Sequence, residues 1–229
     1  MFFRNNNEQV RQDWLKNRLS DLPQGLRILD AGAGELRNKP LCAHLDYVSQ
    51  DFCQYKGIGD GYGLQTETWD TKGIDLICDI TSIPQPSASF DVILCSEVLE
   101  HVPDPTKALD EFTRLLKPGG RMILTVPFAS IVHLSPYYYS TGFSRYWYEH
   151  HLPLRGFTIE ELTANGDWFT YCRQEMIRLG GMARAHGDWS WPLAYVLGVL
   201  GIFYFKIRGG RTASDLACFG WHCVGVKDK

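Results

Sequence analysis

The chain has 229 residues, 45% of them apolar, enough to bury one substantial core, so a single domain is the expected organisation. Its formal net charge is −3 and it carries no basic block, which argues against a nucleic-acid partner. Seven cysteines, an odd number with no C-x-x-C pair and several inside apolar runs, argue against a disulfide framework and for a reducing, cytoplasmic setting.

The N-terminal MFFRNNNEQV lacks the apolar region of a signal peptide. Helical spacing of Val10, Trp14, Leu15 and Leu19 predicts a leading helix, which Pro23 and Gly25 end. The next stretch, LRILDAGAGE from Leu26 to Glu35, reads as a buried parallel strand with Asp30 at its carboxyl end. Gly32 and Gly34 then allow a sharp turn where a side chain would collide with a ligand. In open α/β sheets, ligands bind in the crevice beyond such strand ends.

Pro40 leaves room for only a short helix before a second strand, YVSQD, which ends in Asp51. Asp51 lies about 20 residues beyond the glycine turn, where nucleotide-binding folds present a carboxylate to ribose hydroxyls. An ordinary strand-end turn Asp is the alternative. Phe52 to Gly73 is glycine-rich, polar and long for a connection, so a binding loop is expected. A third strand, Ile74 to Cys78, leads to Asp79 and Ile80, and a fourth, Phe90 to Cys95, leads to Ser96. Asp30, Asp51 and Asp79 thus gather at one sheet edge.

Glu97, Glu100 and His101 stand at i, i+3 and i+4, which in a helical turn would share one face. Asp104 to Leu116 predicts an amphipathic helix, with Asp104 as N-cap and Pro105 at its first position, ended by Pro118-Gly119-Gly120. The fifth strand, RMILTVP, closes with Pro127, and its sequel puts His133 and the run Tyr137 to Tyr139 over the mouth of the crevice. Further on come a helix over Phe143 to Leu154 carrying His150 and His151, a strand FTIEEL, a helix from Asp167 to Gly180 and a closing strand from Leu216. Seven strands, with helices between the early ones, predict a doubly wound α/β sheet.

Trp189 to Phe205 carries no charge and sits at the lower length limit of a membrane span. If the last strand returns to the sheet, both ends of the stretch lie on one side and a single crossing is excluded. A buried or lid helix, a dimer interface, and a peripheral contact with membrane or a lipid-linked substrate are the three readings.

Taken together, ILDAGAG, the acid Asp51, CDI at 78–80, FDVILCSEVLEHVPDP and LLKPGGRMILTVP resemble the motifs of class I S-adenosylmethionine-dependent methyltransferases, of the small-molecule methyltransferase type 11 kind. That resemblance covers Leu26 to Pro127. It implies a Rossmann-like seven-stranded sheet in the order 3-2-1-4-5-7-6 with the last strand antiparallel. It also implies one domain over 1–229, with an N-terminal helix within 1–25 and a helical insertion at 167–210, between strands six and seven, shaping the acceptor side. S-adenosylmethionine is the implied cofactor. Asp30, Gly32 and Gly34 would cradle its methionine part, Asp51 the ribose, Phe52 and Ile80 the adenine faces, Asp79 the adenine amino group, and Ser96 the sulfonium side through its backbone. Leu36 departs from the family pattern, standing where a third glycine is usual.

The implied partner is a small-molecule acceptor: a sugar, a lipid head group or a phenolic metabolite. An oxygen or nitrogen acceptor must lose a proton, and His101 and His133 are the candidate catalytic bases. A helix cap or a hydrogen-bonded core histidine is the alternative for each. E-x-x-E-H segments of ubiquinone-type O-methyltransferases are associated with a divalent metal, which Glu97, Glu100 and His101 would hold here. The same EVLEHV occurs in relatives that use no metal, and no metal is expected. A non-catalytic cofactor-binding module is the competing function. A nicotinamide-dependent dehydrogenase is disfavoured because Arg37 stands where G-x-G-x-x-G needs glycine.

Overall fold

Burial on both faces is what makes an apolar run settle as a central parallel strand, and Arg27–Ala31 (β1) is buried from Ile28 onward. The computed structural model, which describes residues 7–208 and 213–229, places β1 between Asp46–Asp51 (β2) and Phe90–Ser96 (β4), parallel to both. Leu76–Ile77 (β3) pairs beyond β2, and Leu116–Pro127 (β5) pairs parallel with β4. Phe157–Asn165 (β6) and Gly220–Lys227 (β7) complete a seven-stranded sheet in the order β3-β2-β1-β4-β5-β7-β6, as the family resemblance implied. β7 runs antiparallel to β5, in register from Arg121 opposite Val226 to Pro127 opposite Gly220. The residues MFFRNN, read above for a missing signal peptide, and 209–212, at the end of the expected insertion, lie outside the described residues.

Chain contacts group the protein into two compact units, one of Arg11–Thr163 with Gly220–Lys229, the other of Met1–Val10 with Ala164–Phe219. The first holds most of the sheet. On one of its faces Leu15, Leu19 and Leu22, from and just beyond the helix Asn7–Ser20 (α1), pack with Ile28, Val92, Leu94 and Ile123. Each such fully buried aliphatic side chain contributes about 1.5–3 kcal/mol relative to exposure. Helix Pro105–Leu115 (α2) starts as the sequence predicts: Asp104 caps it by accepting from the Lys107 amide at 3.2 Å, with Pro105 at its first position. Its apolar face, Ala108, Leu109, Phe112 and Leu115, is fully buried. Arg145–His151 (α3) is shorter than the predicted helix, because Pro153 begins a separate 3-10 turn.

In the second unit, helices Trp168–Ala185 (α4) and Trp191–Arg208 (α5) pack on each other. Asp167 and Thr170 form a reciprocal capping box that starts α4. Glycines let the two helices approach closely: a Cβ on Gly198 or Gly201 would lie 2.5 or 2.6 Å from atoms of Met176, and one on Gly180 2.4 Å from the Tyr195 ring.

His222 on β7 is buried and stacks on Trp14, with ring centroids 4.7 Å apart. Burial, reinforced by the Arg11 charge, lowers its pKa to about 4. The unfolded chain takes up that proton near pH 6.5 and the folded chain does not, so stability is lost as pH falls from about 6.5 to about 4. The loss attributable to this group is on the order of 3 kcal/mol across that window. His222→Phe keeps the stacking surface, and urea unfolding at pH 7 and pH 5 should show a smaller acid-induced loss in the variant than in the natural chain.

Candidate active site

The crevice at the carboxyl ends of β1, β2 and β4 is held by a compact set of bonds. The amides of Gly32 and Ala33 donate to the Gln50 carbonyl at 2.9 and 2.8 Å, and the Gly34 amide donates to Asp51 Oδ2 at 3.0 Å. Gly32 and Gly34 both have positive φ, +77° and +51°, where a side chain is strained. A Cβ on Gly32 would lie 2.5 Å from both methyls of Val98, and one on Gly34 2.7 Å from Trp69. Gly32→Ala is therefore expected to cost at least about 2 kcal/mol, read as a lowered urea midpoint. Leu36 also adopts a positive φ, +60°. The position where the resemblance implies a third glycine thus keeps the glycine-type backbone while carrying a leucine.

Asp51 is buried, and its carboxylate accepts from the Gly34 amide through Oδ2 and from the Cys53 amide through Oδ1, at 2.7 Å. A carboxylate has about four acceptor positions, so two remain for a vicinal diol. Asp30 is turned inward instead: Tyr47 donates to its Oδ2 at 2.7 Å, and burial raises its pKa to about 6 against the hydrogen bonds from Tyr47 and Asn38. Asp79 is exposed and caps the next turn through Thr81, at 2.8 Å from its amide and 2.7 Å from its hydroxyl, while Ile80 is buried. Phe52 meets Tyr137 edge-on at 4.8 Å, and the Ser96 hydroxyl bonds that of Thr125 at 2.8 Å.

Three residues at this end escaped the sequence reading. Gln50 is fully buried, accepts from the Gly32 amide at 3.2 Å and donates to the Cys78 carbonyl at 2.7 Å, so its side chain ties the glycine turn to the β3 end. Trp69 lies against Gly34 and packs edge-on against Tyr55 at 5.7 Å. Tyr47 supports Asp30. A polar Ser49-Gln50 pair directly before the strand-end acid is the available signal for the first; the others meet partners too distant in sequence for spacing to show.

The glycine-rich loop beyond Asp51 does join the site region. The Leu64 amide donates to the Val132 carbonyl at 2.9 Å, the Leu134 amide returns a bond to Leu64 at 3.0 Å, and Ser135 donates to Asp60. This pairing holds the segment carrying His133. The rings of His101 and His133 meet edge to face, 4.6 Å apart, with Tyr138 5.2 Å from His133. Nδ1 of His101 bonds the Tyr137 carbonyl and Nδ1 of His133 the Ile131 carbonyl, at 2.9 Å for the latter. A carbonyl only accepts, so both Nδ1 atoms carry hydrogen, and in the neutral ring each Nε2 is then a lone-pair acceptor. Burial, with the neighbouring His133 charge, lowers the His101 pKa to about 4 despite the Tyr137 carbonyl. His150 is exposed, and its ring meets that of His151 edge-on, with centroids 4.9 Å apart.

The shared helical face expected for Glu97, Glu100 and His101 does not form. Glu97 takes a left-handed conformation, φ +56°, at the exit of β4 and pairs with Arg11 at 3.0 Å, and only Leu99–His101 is helical. Glu100 is 1% exposed, and neither of its carboxyl oxygens has a hydrogen-bond partner. Burial, and then the charge of Glu97, hold its pKa well above the usual carboxylate range, which favours the neutral acid. Its Oε1 lies 3.7 Å from His101 Nε2. Among the described residues, the groups with ligand atoms within 4.8 Å of one another are Glu100, His101 and His133. The E-x-x-E-H set itself does not assemble, because Glu97 is committed to Arg11.

The residues at the glycine turn fit a nucleoside-bearing cofactor: a carboxylate with spare acceptor capacity, beside a turn that admits no Cβ. Comparison with known proteins agrees. Residues 3–165 match a family described as a methyltransferase domain. A ubiquinone biosynthesis O-methyltransferase of Xanthomonas oryzae is 34% identical over 119 residues, 51% of this chain and 48% of that protein, so the chain spans about half the length of the curated relatives it matches. Among solved structures, the YcgJ protein of Bacillus subtilis superposes over 95% of this chain and 99% of its own, with TM-score 0.54 and 15% identity. A Haemonchus contortus phosphoethanolamine N-methyltransferase, solved with S-adenosyl-L-methionine, superposes over 96% of this chain and 53% of its own, with TM-score 0.54 and 17% identity. With the sheet order, the glycine turn and the family match in agreement, the chain belongs to the class I S-adenosylmethionine-dependent methyltransferase family.

Proposed function

We propose that the chain transfers a methyl group from S-adenosylmethionine to a hydroxyl of a small phenolic acceptor, with His133 taking the acceptor's proton. The observation that carries this reading is the paired imidazoles at the strand ends, each with Nδ1–H tied to a carbonyl and Nε2 left as acceptor. A hydroxyl attacking carbon must shed its proton, and a positioned histidine is the usual recipient. The relatives named as ubiquinone biosynthesis O-methyltransferases add support for an oxygen acceptor of phenolic type.

When bound, the cofactor supplies an electrophilic methyl on a sulfonium. Asp51 would hold the ribose hydroxyls, Gly32 and Gly34 the methionine part, Phe52, Asp79 and Ile80 the adenine, and the Ser96 backbone would flank the sulfonium. His133 Nε2 accepts the hydroxyl proton as the oxygen attacks. His101 is held neutral, so a proton taken by His133 meets no like charge from it. The neutral form favoured at Glu100 likewise leaves one charge to manage. Tyr138 packs edge-on against His133, with ring centroids 5.2 Å apart. Seven cysteines, none bridged, fit a reducing cytoplasmic compartment.

Incubation of the full chain with methyl-labelled S-adenosylmethionine and separate panels of catechols, sugars and primary amines tests this directly. Label should pass to the catechols. Transfer to amines alone, or to none of the panels, would overturn the oxygen-acceptor reading.

A further inference from the structure

A helix packed on one side normally shows polar residues on the other, and α5 does the reverse. Its packed side carries Gly198 and Gly201 against Met176 of α4. Its other side is an apolar stripe at intervals of three and four residues: Leu193, Val196, Leu197, Leu200, Phe203 and Ile207, all exposed, the last 80% so. Just before it, Trp189 is 90% exposed.

We propose that this stripe rests on an anionic lipid surface, with α5 lying in the plane of the bilayer. Three observations select that occupant. No helix among the described residues is long and apolar enough to cross a membrane. The chain leaves the sheet at β6 and returns to it at β7, so its path is a hairpin and not a single crossing. By sequence, Trp189 to Ser214 contains no Asp or Glu, while Lys206, Arg208 and Arg211 follow the apolar run. Tryptophans at one end, cations at the other and an apolar face between them match what an interfacial helix meets in a bilayer. Lipid phosphates would supply the acidic partners that those cations lack within the apolar run itself.

The test is flotation of the full chain with vesicles of phosphatidylcholine containing phosphatidylglycerol, and with phosphatidylcholine alone. The natural chain should float with the anionic vesicles, less so at raised salt, and little with the neutral ones. The double variant Leu197→Ser, Leu200→Ser should keep its far-ultraviolet dichroism, because both side chains are more than half exposed, at 51% and 61%. Its partition into anionic vesicles should fall at least about tenfold. As an independent reading, brominated lipids should quench the natural chain's tryptophan emission, and Trp189→Phe should lose part of that quenching. Failure of the natural chain to float would overturn the proposal, as would equal flotation of the double variant. A dimer in sedimentation that the double variant dissolves would assign the stripe to a second copy and overturn it too.

Discussion

His133→Ala is expected to lower methyl transfer to a phenolic acceptor by about a hundredfold or more, with S-adenosylhomocysteine affinity unchanged. The size follows from what a positioned base contributes when the acceptor's proton must leave during attack. The separation of effects follows from placement: His133 sits on the segment after β5, paired through Leu64, and touches His101 and Tyr138. Substitution leaves that pairing intact, since it runs through backbone atoms of Leu64, Val132 and Leu134. Added imidazole should restore part of the rate. His101→Ala should cost less, because its Nε2 faces Glu100 across 3.7 Å. Full turnover by the His133 variant would remove the proposed base; full loss by His101→Ala with none by His133→Ala would exchange their roles.

Asp51→Ala is expected to weaken S-adenosylhomocysteine binding by at least about a hundredfold. Hydrogen bonds to a charged group contribute about 1.5–3 kcal/mol each, and the ribose diol would lose two of them. The substitution also strips the Gly34 and Cys53 amides of their acceptor. A loss of fold stability on the order of 2 kcal/mol should accompany the lost affinity. Asp51→Asn distinguishes the two effects. It retains an acceptor for one amide and thus some stability, yet presents a donor where the other carboxylate oxygen stood, so binding should stay weak. Equilibrium dialysis with labelled product and urea unfolding read the two quantities separately. Unchanged affinity in either variant would mean that the ribose lies elsewhere.

How far the chain could be read from its sequence depends on whether an element's cause is local. Central strands announce themselves: Ile28 to Ala31 and Val92 to Cys95 are buried on both faces and appear as apolar runs. The cap of α2 was equally plain, since Asp104, Pro105 and an apolar periodicity lie side by side. The third strand was read as Ile74 to Cys78, but only Leu76–Ile77 pairs, at the sheet edge, where Ile77 is 67% exposed and burial gives little reason to extend. The face expected for Glu97, Glu100 and His101 failed for a different reason. Helical spacing assumes helical backbone, and Glu97 turns left-handed where the chain leaves β4 to reach Arg11, 86 positions away in sequence. The meeting of His101 with His133 could be anticipated only as two residues after neighbouring strands. Their contact comes from the loop pairing of Leu64 with His133, which no spacing rule contains. The expected helical segment, 167–210, lies within the unit Ala164–Phe219, at whose base the Phe219 amide donates to the Asn165 carbonyl at 2.8 Å.

The central claim is that the glycine turn and Asp51 receive a nucleoside-bearing methyl donor. Calorimetric titration of the full chain with S-adenosylhomocysteine, with NADH in parallel, tests it most directly. Saturable binding of S-adenosylhomocysteine alone, with one molecule per chain, is the predicted result. Preference for NADH, or no heat of binding from either ligand at a concentration where the chain is folded, would contradict it.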